Sequence, residues 1–150
     1  MPSLFGKSLS GVKVRHCKNT ADMPAVRMPI PDKVVIPMLQ HMGAPCNLLV
    51  QVGETVTVGQ KIGDTDAFLS VPVHSSVSGT VSAVIDFVSA NGDKCKAAVI
   101  DTDKAQTPCP DLRAPVVQSH KDLVQAARDC GLDGLGGAGF PTHIKLNPKN

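Results

Sequence analysis

Between residues 33 and 105, the apolar positions fall in short runs that are rich in β-branched residues. Within the runs apolar and polar side chains tend to alternate, and pairs such as Gly53-Glu54 and Gly63-Asp64, which favour tight turns, separate them. A half-buried strand has this period of two, so the pattern predicts an all-β sandwich or barrel. The predicted strands are residues 34–37, 48–52, 55–58, 69–73, 80–88 and 95–101.

The segments on either side of this β region have different patterns. Residues 1–32 are rich in proline and keep neither a helical nor a strand period, which predicts an extended arm. A second group of prolines, Pro108, Pro110 and Pro115, predicts a linker. The sequence therefore predicts four segments: an arm (1–32), a β domain (33–105), a linker (106–118) and a last unit (119–150).

Helical spacing begins only after the predicted linker. Ser119 followed by Asp122 three residues later is a helix-capping pattern, and Gly131 suits a C-terminal cap. The pattern therefore predicts one amphipathic helix between Ser119 and Gly131. The small and apolar residues at helical spacing are Leu123, Ala126, Ala127 and Cys130.

Composition excludes several classes of protein. The net charge is only +2, and the chain has no Trp, no Tyr and four Phe, whereas single-stranded nucleic acid is usually held by aromatic side chains in a basic groove. No apolar run is long enough for a membrane span or a signal peptide. The five cysteines are scattered and form no CxxC pair, which favours reduced thiols in a cytoplasm. We therefore expect no nucleic acid as a partner and no direct membrane span.

A glycine-rich segment follows the predicted helix. Residues 131–139 contain five glycines, too many for the interior of a packed helix or strand. Consecutive glycine N–H groups can bind an anion, a helix beginning near Pro141 would add its positive end, and Lys145 lies one turn further along. A phosphate cradle and a plain structural turn are equally good interpretations of the glycines alone.

Two stretches of the β region resemble the halves of the biotinyl and lipoyl carrier domains, whose fold is the barrel-sandwich hybrid. They are VQVGETVTVGQKIG (50–63) and SVPVHSSVSGTVSAV (70–84), and the resemblance covers roughly residues 33–102. A carrier needs a lysine at the tip of the hairpin between the halves, but the tip (residues 64–69) has none. The resemblance therefore implies a scaffold without covalent biotin or lipoate.

The segment GLGGAGFPTHIKL (134–146) resembles the flavin loop GxGGAGFPTxxKW in the flavoprotein subunit of respiratory complex I. A longer resemblance is to the C subunits of Rnf electron-transport complexes, which IPMLQHMGAPC (36–46), VGQKIG (58–63) and VHSSVSGTV (73–81) share in the same order. In the related cobalamin reductases the glycine loop comes before the barrel, so the order of motifs in this chain argues against that family. The chain is thus expected to be mainly β, a barrel-sandwich hybrid domain with a proline-rich arm, followed by a helix and the glycine-rich opening of a truncated α/β flavin domain.

This resemblance implies positions for a flavin mononucleotide (FMN). Lys145 matches the lysine that reaches the ribityl-phosphate side of the flavin, and Leu135 stands where complex I has an arginine. No catalytic residue and no metal ligand is expected in this chain. The glycines that match the flavin loop are Gly134, Gly136, Gly137 and Gly139.

The function that the resemblance implies is that of an N-terminal piece of the NADH-oxidising or NAD-reducing subunit in a membrane-associated, ion-translocating ferredoxin:NAD oxidoreductase. Such a subunit uses FMN, NAD(H) and two [4Fe–4S] clusters, the clusters coming from a C-terminal region absent here. Its partners are the other subunits of the complex, and its expected place is cytoplasmic, peripheral on the inner face of the membrane. We expect the 150 residues alone to be inactive and to bind no cofactor tightly, because a loop without the rest of its pocket leaves the ligand in water.

Other interpretations remain open. The β domain could be a non-catalytic adaptor for protein interactions, with the glycine loop as a hinge. His74 is more simply a strand or turn residue that hydrogen-bonds neighbouring hydroxyls than a catalytic base. His16, Cys17, His41 and Cys46 could form a zinc site, but their spacing fits no zinc motif, so loop histidines and buried thiols are the simpler interpretation.

Overall fold

The computed structural model describes residues 15–148, which form two antiparallel sheets and two helices. The first sheet has the order β1-β7-β6-β3 and the second the order β2-β4-β5. The strands are β1 (Lys33–Pro37), β2 (Asn47–Leu48), β3 (Thr55–Val56), β4 (Lys61–Asp64), β5 (Val73–His74), β6 (Gly79–Val88) and β7 (Lys94–Thr102), and the helices are α1 (His120–Asp129) and α2 (Thr142–Leu146).

The hairpin of β6 and β7 is the longest element of the first sheet. Its pairing runs from Gly79–Thr102 to Val88–Lys94, with a register shift between Val81 and Ala83. An irregularity of this kind bends a strand and increases its twist, which lets the sheet curl over the second sheet. β1 pairs with the other edge of β7, and the two-residue β3 pairs with only the first residues of β6.

One hydrophobic core lies between the two sheets. Its central side chains come from both sheets and from the segment after β1, so burying them holds the sheets together. Met38, Val56, Ile62, Val81 and Ile100 are all fully buried. The core cluster also includes Ile36, Cys46, Val50, Val73, Val77 and Ala98.

The alternating pattern located three strands well and misplaced the others. β1, β6 and β7 begin and end within one residue of the predicted runs. Two-residue strands stand at the other three runs: β3 lies inside 55–58, whereas β2 overlaps 48–52 only at Leu48 and β5 overlaps 69–73 only at Val73. β4 was missed, since its sequence KIGD has a glycine and two charges in four residues and shows no apolar alternation.

The helix α1 confirms the capping prediction. The Ser119 hydroxyl accepts from the Asp122 amide, and the Asp122 carboxylate accepts from the Ser119 amide. At the other end Gly131 has φ +68° and donates to Arg128, while Leu132 donates to Ala127. These two bonds are the Schellman arrangement, which satisfies carbonyls that a helix end would otherwise expose.

The arm is attached to the barrel near Asp32, and the first residues of the linker are hydrogen-bonded to the barrel at Ser76, Ser78 and Val58. Residues 15–32 form no helix or strand, and only their end is bound, where Thr102 donates to the carbonyls of Pro31 and Asp32. In the predicted linker, the Thr107 carbonyl and Cys109 amide bond to Val58. The proline segment therefore adds a short bridge to the barrel before it leaves. Within the described residues, no helix is long and apolar enough to cross a bilayer.

Gly43 and Gly53 offer a matched test of how tightly the barrel is packed. Gly43 has φ +122°, and a Cβ there would lie 1.9 Å from the Leu69 carbonyl oxygen, whereas at Gly53, φ +93°, a Cβ would meet nothing within 4 Å. We expect Gly43→Ala to cost about 3 kcal/mol or more of unfolding free energy. Gly53→Ala should cost only the left-handed backbone penalty of about 1–2 kcal/mol. Urea unfolding of both variants checks this, and equal losses would contradict it.

Candidate functional site

The glycine loop (residues 131–139) is closed by its own backbone. Gly134 donates to the Phe140 carbonyl at 3.1 Å, and Gly137 donates to the Gly134 carbonyl at 3.0 Å. The second bond makes a tight turn in residues 134–139, which we call the crest of the loop. Outside the Gly134–Phe140 pair, the Thr142 amide donates to the Leu132 carbonyl at 3.0 Å. These bonds bring the start of α2 back beside the end of α1, so the loop projects as one compact unit.

The crest of the loop leaves backbone donors available. Among the described residues, the amides of Gly136, Ala138 and Gly139 donate to no backbone carbonyl. Residues 135–138 are solvent-exposed, and Leu135 is 97% exposed. Free N–H groups without side chains around them allow a ligand to approach the backbone closely.

Lys145 lies back over the loop, as the sequence predicted from its distance along the chain. Its Nζ lies 5.6 Å from the centre of the Phe140 ring, within the range of a cation–π contact. The same Nζ lies 3.1 Å from where a Cβ on Gly134 would be, so a side chain there would press on the ammonium group. The loop therefore combines exposed amide donors with one positive charge.

The helix after the loop contributes less than the sequence suggested. α2 begins at Thr142, with Pro141 one position before it, and has five residues. So short a helix aligns few peptide dipoles, and its first residues have no side-chain cap. It is fixed instead by α1, because His120 Nε2 donates to the Leu146 carbonyl at 2.8 Å.

Both ends of the glycine loop contact the barrel. At the start of the loop, a Cβ on Gly131 would lie 2.7 Å from the Pro72 carbonyl oxygen. At its end, the Met42 amide donates to the Gly139 carbonyl at 2.8 Å, and a Cβ on Gly139 would lie 3.1 Å from the Cα of His41. Glycines allow these close backbone contacts, which sequence analysis did not foresee.

A cleft of about 690 Å³ separates the loop from the barrel. Its walls are the glycine loop, the segment after β1 (residues 39–43) and the turn between β6 and β7. Among the described residues that line it, Lys94 is the one Lys or Arg, and Asp93 and Asp133 are the carboxylates. A cleft this size could hold a group as large as part of a nucleotide, with one wall from each unit.

An ion pair joins α1 to the hairpin tip of the barrel. Arg128 Nη2 donates to Asp64 Oδ1 at 2.9 Å and to the Thr65 carbonyl at 2.9 Å. Lys61 Nζ binds the other carboxylate oxygen at 3.0 Å. Burial alone would raise the pKa of Asp64, but the hydrogen bonds from Arg128, Lys61 and the Thr65 amide outweigh it and lower the pKa below its usual value. Sequence reasoning missed this pair, since nothing in the pattern relates residues 64 and 128.

Cys46 and His41 form a pair inside the barrel. His41 is buried, and its Nε2 lies 3.6 Å from Cys46 Sγ, which also donates to the Val71 carbonyl. Burial, reinforced by the charge of Asp64, raises the pKa of the Cys46 thiol to about 11. His16 and Cys17 lie in the exposed arm, and in the described part of the chain no three His, Cys, Asp or Glu side chains group as a metal site would require.

His74 lies in β5, as the strand interpretation predicts, but among residues 15–148 no hydroxyl is hydrogen-bonded to its ring. The neighbouring Ser75 hydroxyl donates instead to the Val77 carbonyl at 2.7 Å. The His74 ring lies against Gly131, with Nδ1 3.2 Å from the Cβ position there. Burial and then the charge of Lys61 lower the pKa of His74, so the ring is neutral at pH 7. It packs as an uncharged ring against the start of the glycine loop.

The fold and the loop together define a class of protein, a barrel-sandwich hybrid followed by a helix and a glycine-rich loop. Residues 7–105 match the family of RnfC barrel sandwich hybrid domains, and since this is well over half of the chain, the chain belongs to that family. The match confirms the mainly β fold class and the resemblance to Rnf C subunits that the motifs indicated.

Curated relatives extend the similarity past the barrel. The C subunit of the Na⁺-translocating ferredoxin:NAD⁺ oxidoreductase complex of Acetobacterium woodii is 41% identical over 132 residues, covering 86% of this chain and 30% of that protein. The C subunit of the proton-translocating complex of Clostridium ljungdahlii is 41% identical over 134 residues, covering 87% and 29%. The C subunit of an ion-translocating oxidoreductase complex of Pseudomonas aeruginosa is 38% identical, covering 83% and 16%. The chain spans less than a third of the length of these relatives.

The pKa of Asp64 predicts how stability depends on pH. Because the folded-state pKa lies below the ordinary 3.8, the ionised carboxylate stabilises the fold above that value, and this contribution is lost as the pH falls through the folded pKa. We expect Asp64→Asn to lower the Tm at pH 7. The difference from the unchanged chain should shrink steadily below about pH 4. A difference that stays constant down to pH 2 would contradict this.

The raised pKa of Cys46 predicts a thiol that does not react in the folded chain. At pH 8 a thiol with a pKa of about 11 holds almost no thiolate, and Cys46 is also buried. Cys17 and Cys130 are exposed and serve as internal controls. Timed alkylation followed by peptide mass mapping should show both controls labelled well before Cys46. Labelling of Cys46 at the rate of Cys17 would show the burial to be wrong.

Proposed function

We propose that this chain supplies the barrel and the first flavin-binding loop of an Rnf C subunit, which transfers electrons between NADH and iron–sulfur centres of an ion-translocating complex through FMN. The observation that supports this best is the glycine loop itself. Its crest offers free amide donors, has no side chain at four positions, and has the Lys145 ammonium beside it. The relatives are named as parts of ferredoxin:NAD⁺ oxidoreductase complexes, which agrees with this proposal.

The residues present fit the phosphate end of a flavin. Gly136 has φ +80° with open space at its Cβ position, and Gly137 has only the Gly134 carbonyl oxygen at 3.4 Å. A phosphate could therefore approach the amides of this turn without meeting a side chain. Lys145 would add charge neutralisation, and Gly134 and Gly139 would keep the loop closed and seated. A bound flavin supplies the conversion of a hydride into single electrons, while the protein binds and orients it.

The iron–sulfur centres that the resemblance implies do not fit the described residues. Four thiolates are usual for such a cluster, and the cysteines here are separate free thiols with no metal-binding group among residues 15–148. We therefore place both clusters in the longer chain that the relatives have. The same applies to the residues that would bind NADH, and the whole protein would associate with the membrane through its partner subunits.

A second candidate is a non-catalytic adaptor in which the barrel binds other proteins. The observation that favours it is the hairpin tip, which has no lysine and is bound by Arg128, so the barrel works as a platform for a neighbouring unit. In that case the glycine loop would be a hinge, and no flavin would bind to it.

The absorption spectrum of the full-length protein separates these two functions. Purified without oxygen, it should show flavin bands over a broad iron–sulfur absorption, and the flavin bands should bleach when NADH is added. A colourless protein that gains no bands with added FMN would contradict the flavin proposal and favour the adaptor. The isolated 150 residues should bind FMN weakly or not at all, because most of the ligand would remain in water.

Gly137→Ala tests whether a ligand approaches the loop. The residue does not have a left-handed φ, and its Cβ would meet one atom, at ordinary contact distance, so the fold should tolerate the change. We expect Tm to change by no more than a few degrees, because the substitution costs less than about 0.5 kcal/mol. FMN affinity of the full-length protein should fall about tenfold or more, since the methyl group enters the space of the phosphate. Unchanged affinity, measured by flavin fluorescence, would place the ligand elsewhere.

A further inference from the structure

The last unit is held on the barrel by few contacts, and one of them differs from the rest in kind. The contacts at Gly131 and Gly139 are backbone packing and a single amide hydrogen bond. The contact at Arg128 is an ion pair with two acceptors, one on a carboxylate and one on a carbonyl. In the described part of the chain, no other salt bridge joins the barrel to a helix.

This ion pair is also better shielded than the others. The side chains of Arg128 and Asp64 are 23% and 22% exposed, whereas both side chains of Lys33–Asp101 and Lys96–Asp86 are more than half exposed. Exposed pairs contribute little because water and salt screen them, while a shielded pair holds its geometry more strongly. One guanidinium nitrogen bound to two oxygens also fixes the direction from which α1 approaches.

The position of the ion pair in the fold lets it affect where the glycine loop begins. Arg128 lies in the last turn of α1, three residues before Gly131, where the glycine loop begins. Asp64 and Thr65 lie at the start of the hairpin tip, the part of the barrel where a biotinyl or lipoyl carrier would have its modified lysine. In this chain the tip binds an arginine of the next unit instead.

We propose that Arg128 is a positioning residue for the glycine loop: by binding Asp64 and Thr65 it seats α1 on the barrel and holds the loop against residues 39–43. This inference rests on the proposed flavin function and adds to it the way the barrel takes part. Without the pair, the end of α1 is released and the loop, which is mostly glycine, samples more conformations. Only a fraction of molecules would then have the seated loop, and apparent affinity falls by that fraction.

The test uses the full-length protein with its FMN removed and then added back. Five variants are compared with the unchanged protein: Arg128→Gln, Arg128→Lys, Asp64→Asn, Asp64→Asn combined with Arg128→Gln, and Lys96→Gln as the control. Lys96 forms an exposed pair with Asp86 within the β6–β7 hairpin, so the control removes an ion pair and leaves α1 untouched. The readouts are FMN affinity and, before FMN is added, hydrogen exchange of the loop's hydrogen-bonded amides, Gly134 and Gly137, and of the Met42 amide that binds the loop.

We expect Arg128→Gln to weaken FMN binding about tenfold and to speed exchange of the loop, with exchange of β6 and β7 unchanged. Arg128→Lys should recover most of the affinity, because an ammonium group can still reach both oxygens. The double variant should be no weaker than Arg128→Gln, since both changes remove the same contact. Lys96→Gln should match the unchanged protein.

Three results would overturn the positioning role. One is Arg128→Gln with unchanged FMN affinity and unchanged loop exchange. Another is a double variant whose loss of FMN affinity is the sum of the losses in Arg128→Gln and Asp64→Asn, which would mean that Arg128 acts elsewhere. Faster exchange throughout β6 and β7 would also count against it, because the effect would then be general destabilisation. If the unchanged protein binds no FMN, the proposed function fails first, and this is distinguishable because the failure precedes any substitution.

Discussion

The ion pair between Asp64 and Arg128 is the interaction on which the relation between barrel and loop depends. It joins a strand end whose position is set by the barrel core to a helix whose end sets the start of the glycine loop. Lys61 and the Thr65 amide hold the carboxylate on its other sides. The position of the carboxylate is thus fixed by the barrel before the arginine binds it.

The same arrangement gives a use to a carrier-like barrel whose hairpin tip (residues 64–69) has no lysine. A barrel-sandwich hybrid presents a stable hairpin tip, because two small sheets close over one core and leave the tip outside it. A carrier domain uses that tip to display a lysine. Here the tip receives a neighbouring unit, and the segment after β1 receives the end of the loop through Met42. The barrel thus forms one wall of the cleft that the loop faces.

Glycine has two distinct physical roles in the chain. At Gly43 and Gly131, the absence of a Cβ allows backbone to pack against a carbonyl oxygen of the barrel, so these glycines are structural. At Gly136 and Gly137, nothing in the described structure fills the space that a side chain would occupy, apart from one ordinary contact. Only the second kind leaves room for a ligand, and the sequence motif by itself does not separate the two.

Local sequence was enough to determine the long strands, the α1 caps and the existence of the glycine loop, because period-two alternation, the Ser119 and Asp122 spacing and glycine's freedom all act between near neighbours. The motif order also sufficed to identify the family. The tertiary structure decided what depends on distant residues: β4, whose polar sequence becomes a strand only between its partners, the His41–Cys46 pair, and the Asp64–Arg128 contact across 64 positions. Such contacts follow from how the chain closes on its core, and no periodicity in the sequence encodes them.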